Sequence, residues 1–196
     1  MRLRVLTCLP MLASLAGPVA AQGTVPPVAE QLAAAVLPLP ADLRAGATVM
    51  GYKSANKLEV LKQGSGSMIC LALYVTRPDF HVACYYKGLE PFMARGRELR
   101  DKGVANVDSV RFKEIADGRL RMPAQGALYE ITVKDKKAWN PKTGKVAGAT
   151  PLAVIYVPFA TAESTGLSPV PNPDGPWLML PGTAKAHIML MGKMQM

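Results

Sequence analysis

The chain has 196 residues, 49% hydrophobic and 19% charged, a balance too apolar for a disordered chain and ordinary for a globular one. Its formal net charge is +9, from 23 Lys and Arg against 14 Asp and Glu. Beyond the N-terminus no apolar run approaches the ~18 residues of a membrane helix, which excludes a mature transmembrane segment of that kind. No heptad, collagen or zinc-finger pattern is present.

Arg2 and Arg4 form a short positive region, Val5 to Leu15 is apolar, and Val19-Ala20-Ala21 places small residues before Gln22. That is the pattern of a secretory signal cleaved near Ala21. Cys8 lies too early, with almost no apolar region before it, for lipoprotein processing. The pattern divides the chain into a signal peptide at 1–21, a flexible arm at 22–27, a single α+β domain at 28–192 and a tail at 193–196. It also predicts a secreted or periplasmic, oxidising location. Removing Arg2 and Arg4 leaves a net charge of +7. No run of basic residues exceeds two, the densest being Lys136-Lys137, and aromatics are only 6%. A basic solvated surface follows, rather than a nucleic-acid site.

Val28 to Leu37 is alanine-rich and reads as a helix stopped by Pro38 and Pro40. Thr48–Lys53 and Leu58–Lys62 are strand candidates around a turn at Ser54-Ala55-Asn56. Two apolar runs then flank Thr76-Arg77-Pro78-Asp79, a turn signal: Ser67 to Val75 and Phe80 to Tyr86. They read as an antiparallel hairpin. A three-residue loop at 76–78 closes on the pair 75/79, and the constant index sum of that register opposes Cys70 to Cys84, the pair predicted to form a disulfide. CxxC spacing, the mark of a redox pair, is missing.

Leu89 to Lys102 is the clearest helix, with Pro91 in its first turn and Gly103 after its end. Phe92, Gly96 and Leu99 share one face, and Gly96 suits close packing of this helix on a sheet. Arg97/Asp101 and Glu98/Lys102 are spaced for i,i+4 ion pairs. Val107 to Asp117 reads as a second helix capped by Asn106, with a strand over Ser109–Ile115 as the alternative. Gly126–Lys134 is a strand, Asn140 to Gly144 a hairpin turn, and Pro151–Phe159 a central strand. Thr161–Gly166 reads as a turn and the proline-rich Pro169–Pro176 as loop. Trp177–Leu180 and His187–Met191 flank Pro181-Gly182-Thr183 as a last hairpin. The fold class is therefore α+β: a mostly antiparallel sheet of six to eight strands with two or three helices packed on it.

Two stretches, Cys84-Tyr-Tyr-Lys-Gly-Leu-Glu-Pro-Phe-Met-Ala-Arg-Gly-Arg-Glu-Leu99 and Gly175-Pro-Trp-Leu-Met-Leu-Pro-Gly-Thr-Ala-Lys-Ala-His-Ile-Met189, resemble a group of uncharacterised secreted bacterial proteins. The resemblance implies a secreted bacterial origin. No activity is attached to that group, so no site residue is implied by it.

The C-terminus carries His187, Met189, Met191, Met194 and Met196. Thioethers and imidazole suit Cu(I), and on a strand residues 187, 189 and 191 would share a face. The alternative is that these methionines fill the core, or that the last residues are a free tail. His81 and His187, the only histidines, are too few for a histidine-based zinc site. His81 should face away from Cys84, and reads as a sheet-surface residue. Gly64-Ser65-Gly66-Ser67 does not match a nucleophile elbow. Glu90 is placed to favour a helix dipole. Arg95 and Arg97 diverge around their helix and are poorly placed to grip one small anion. No catalytic set emerges. The leading expectation is an exported, disulfide-linked, non-catalytic binding or interaction domain whose partner is a protein or envelope component. The alternatives are a periplasmic copper-binding protein and a hydrolase with an unrecognised site.

Overall fold

The computed structural model describes residues 25–54 and 57–191, with the Met191 side chain set aside. The predicted signal peptide, residues 22–24 of the arm, Ala55 and Asn56 of the first turn, and the tail with Met194 and Met196 lie outside the described residues. Among the described residues, no helix is long and apolar enough to cross a membrane.

The structure is α+β. Helices α1 (Val28–Ala35) and α2 (Ala41–Arg44) precede strands β1 (Thr48–Ser54), β2 (Lys57–Lys62), β3 (Met68–Leu71) and β4 (Phe80–Tyr86). Helices α3 (Glu90–Asp101) and α4 (Val107–Ala116) follow, then β5 (Gly126–Val133), a small hairpin of β6 (Trp139–Asn140) and β7 (Lys145–Val146), and β8 (Pro151–Tyr156). The one-turn helix α5 (Ala162–Thr165) leads to β9 (Trp177–Met179) and β10 (His187–Met191). Eight strands form one sheet in the order β2-β1-β3-β4-β5-β8-β10-β9. All neighbours are antiparallel except β1 and β3.

Strand alternation divides the core in two. Val49, Met68, Cys70, Phe80, Val82, Cys84 and Ile131 point to one face, beneath Ala34 and Ala35 of α1, with Leu43 of α2 packed alongside. Leu71, Tyr85, Val154 and Tyr156 point to the other, where Phe92 and Met93 of α3 and Phe112 and Ile115 of α4 close over them. Helices therefore lie on both faces of the sheet.

Cys70 stands directly opposite Cys84 and the two are joined, with Cα atoms 4.0 Å apart. The loop assumed for that hairpin is corrected. β3 ends at Leu71, and Leu73–Val75 form a 3-10 turn within a longer connection. The register survives because Met68↔Tyr86 and Leu71↔Ala83 keep the same index sum as the shorter loop.

Other local expectations are revised by side-chain contacts. Asn106 occupies the cap position of α4 without a side-chain capping bond. Thr161–Gly166 is α5, closed by a reciprocal Thr161–Ser164 capping box and by Gly166 in the left-handed region. Arg97 pairs with Glu90 at 2.6 Å rather than with Asp101, whereas Glu98–Lys102 forms as spaced. A Cβ on Gly96 would lie 2.6 Å from Nη1 of Arg111, so this glycine admits a side chain of α4 and not the sheet.

Candidate functional site

Among the described residues, the helical cover of one sheet face is concentrated on β1, β2 and β4. Register places Ala127 and Tyr129 of β5, Ala153 and Ile155 of β8, and Ile188 and Leu190 of β10 on the same face as Cys84. Under α1 this face is sealed: Cys70, Val82 and Cys84 are fully buried. Across β5, β8 and β10, Tyr129, Ile155 and Ile188 are only half-buried, and Leu190 is 38% exposed. The cause is the length of the cover. α1 has eight residues and α2 four; α1 packs on β1, β2 and β4, and the core beneath it extends to Ile131 and Tyr129 of β5 and no farther along the sheet.

Where α2 ends, the surface forms a groove of about 500 Å3. Leu43 lines one side, Met68 and Tyr86 the base near the disulfide, and Ala127, Tyr129 and Ile155 the open sheet. Ser67 and Gln125 add polar groups at its rim. A second hollow of about 340 Å3 lies between the α1–α2 connection and β7, lined by Leu37, Arg44, Lys145 and Val146. Its arginine is held in place: Nε of Arg44 donates to the Leu39 carbonyl at 2.8 Å. Concave, mainly apolar surfaces with a few polar groups are the general form of binding sites. The sequence marked Gly126–Lys134, Pro151–Phe159 and His187–Met191 as strands, but not that they would lie side by side with one face only partly covered.

His187 and Met189 do share one face, set by Tyr156↔His187 and Val154↔Met189. Met189 packs among the apolar residues beneath α3 and α4. His187 is buried against the Tyr156 ring, and its Nδ1 donates to the Lys185 carbonyl at 2.7 Å. That bond leaves Nε2 with the lone pair. Burial holds the imidazole below its ordinary pKa, so the neutral form is favoured. Met194 and Met196 lie outside the described residues. Among the described residues, no group of three or more His, Cys, Asp or Glu side chains is placed to hold a metal ion.

His81 faces away from Cys84, and its Nδ1 lies 2.6 Å from the Thr132 hydroxyl. Neither histidine is bonded to a carboxylate among the described residues. Arg95 and Arg97 are both bound by acids: Arg95 by Glu114 and Glu98, Arg97 by Glu90. Glu90 also accepts from the Tyr85 hydroxyl, which in turn accepts from Nη1 of Arg97 at 3.0 Å. The Glu90 carboxylate at the start of α3 thus belongs to a part-buried polar link to β4. No protein-family model, curated protein or solved structure matches this chain.

Proposed function

We propose that this chain is an exported, non-catalytic binding domain of the bacterial envelope, and that its ligand site is the open sheet face beside α2. The observation that carries the reading is the change in burial along one face, from fully buried under α1 to half-buried at Tyr129, Ile155 and Ile188. Partly exposed apolar side chains on neighbouring strands, with the polar Ser67 and Gln125 beside them, support an interaction site on this face. The disulfide supports an oxidising location, because such bonds persist outside reducing compartments. The signal-like N-terminus and the resemblance to secreted bacterial proteins favour the same location. Copper binding is the weaker reading, because the Met189 thioether is packed among apolar side chains. A hydrolytic site is weaker still, since neither histidine is oriented by a carboxylate.

The test uses the fluorescent apolar probe bis-ANS with the mature, oxidised chain. The wild type should bind at one saturable site. Ile155→Asp should weaken binding by about tenfold or more, as expected when a charge enters an apolar contact. Val60→Asp, on the exposed edge strand β2, should leave it unchanged. If Ile155→Asp does not fold, Tyr86→Ser at the groove base takes its place, since Tyr86 is already 37% exposed. No binding by the wild type, or equal loss in Val60→Asp, would overturn the assignment.

A further inference from the structure

The opposite side of the molecule carries a cluster of cations. Arg111 of α4 is 4% exposed and crosses to α3. Its Nη1 donates to the Phe92 carbonyl at 3.0 Å, Nη2 bonds Asp108, and the guanidinium carbon sits 3.7 Å above the Phe92 ring. Its buried Nε has no partner among the described residues. This path exists because residue 96 is glycine. Nη1 of Arg111 and Nη1 of Arg100 lie 2.6 and 3.6 Å from the point a Cβ of Gly96 would occupy. Two guanidiniums therefore meet over one residue.

Their charges are poorly compensated. Arg97 lies on the same side of α3 and already holds Glu90. Asp108 is divided between Arg111 and Lys185, the latter at 3.0 Å. The Arg100 side chain makes no hydrogen bond or ion pair with any described residue, although its backbone carbonyl accepts from the Gly103 amide. Arg100 is exposed at the surface, and its proton affinity is lowered, first by partial desolvation against its neighbours and then by the charges of Arg111 and Arg97, with Asp101 and Asp108 offsetting only part of this. A guanidinium has five N–H donors and keeps its charge at any physiological pH. Arg100 thus carries unused donors within a positive local field, beside an arginine held by three contacts, the Phe92 carbonyl, Asp108 and the Phe92 ring.

We propose that the α3–α4 surface around Arg100 and Arg111, opened by Gly96, is a binding site for a phosphate-type oxyanion. A compact tetrahedral dianion answers the excess charge and takes donors from Arg100 in the two-point geometry that arginine favours. Arg97 and Lys185 add field from either side while their own carboxylates keep them in place. The site differs from an Arg95/Arg97 grip: Arg95 is held by Glu98 and Glu114, and the neighbour of Arg100 is Arg111, which α4 delivers beside Gly96.

The probe is inorganic phosphate, titrated into the oxidised mature chain at constant ionic strength and followed by amide shifts of α3 and α4. Wild-type protein should saturate. Arg100→Gln should raise Kd by about tenfold, the loss expected for one charge-assisted contact. Arg121→Gln removes the same charge from a residue that is exposed like Arg100 but takes no part in the contacts around Arg111, and should change Kd by less than about twofold, as for a screened surface charge. A second arm measures sedimentation with phosphatidic acid vesicles against phosphatidylcholine vesicles. Saturation by free phosphate assigns a soluble ligand. Arg100-dependent binding to phosphatidic acid alone assigns a lipid headgroup. Absence of both, or equal losses in Arg100→Gln and Arg121→Gln, would overturn the site.

Discussion

Gln31 is fully buried, and its carboxamide meets both backbone groups of Tyr52. Oε1 accepts from the Tyr52 amide at 2.8 Å, and Nε2 donates to the Tyr52 carbonyl at 2.8 Å and to the Pro26 carbonyl at 2.8 Å. The parallel pairing of β1 with β3 runs only from Thr48 to Met50, so the side chain of α1 takes the place of strand partners at Tyr52. Gly51 leaves the space, since a Cβ there would lie 2.5 Å from Oε1 of Gln31. Gln31→Ala should lower the unfolding free energy by about 2–4 kcal/mol, because two buried backbone groups lose their partners. Equilibrium urea unfolding measures this, and a loss below about 1 kcal/mol would mean that water replaces the amide. Nothing in the sequence singles out Gln31. A glutamine in an alanine-rich helix is an ordinary surface residue until the chain folds back over it. The same holds for Arg100 and Arg111, whose long side chains choose partners by distance in space.

At the scale of elements, helix and strand signals were strongest where local chemistry and burial agreed. Phe92, Gly96 and Leu99 of α3 are all buried, as their spacing implies, and Gly103 and Gly118 take the left-handed positions that end α3 and α4. Gly144 does so in the β6–β7 turn. The short helices α2 and α5 have four residues each, too few to show a hydrophobic period. The Thr161–Ser164 box was their one local sign. The β3–β4 disulfide was legible because register depends on parity and index sum, which a changed loop can leave intact. It closes a short ring between residues 14 apart, which the loop-entropy model values at about 3 kcal/mol. The double variant Cys70→Ala/Cys84→Ala should unfold at a markedly lower urea midpoint. Addition of reductant should shift the wild type in the same direction and leave the variant unmoved. Equal midpoints for oxidised wild type and variant would show that packing alone holds β3 on β4.

Over the whole molecule, stability near neutral pH is tied to two histidines, His187 buried and His81 half-buried. Burial lowers the pKa of both His81 and His187 from the ordinary 6.5. The native state then binds fewer protons than the unfolded chain, so stability is full above 6.5 and falls as pH drops toward the folded values. Glu130 acts oppositely at lower pH, because burial raises its carboxyl and protonation there favours the native state. Between pH 7 and 5.5 the histidines should dominate, with a limiting slope of about 1.4 kcal/mol per pH unit per proton. Urea unfolding at three pH values should show this decline, and His81→Gln/His187→Gln should flatten it; an unchanged slope would exclude the histidines as its source. The α+β class, the strand alternation, the turns at prolines and glycines and the opposed cysteines follow from interactions within a few residues, so the linear order of side chains was enough to reach them. Strand order, the partly covered half of one sheet face and the meeting of Arg100 with Arg111 over Gly96 depend on contacts between distant segments. Those contacts are set by which apolar faces find cover, and a cover of twelve helical residues in α1 and α2 runs out before the sheet does.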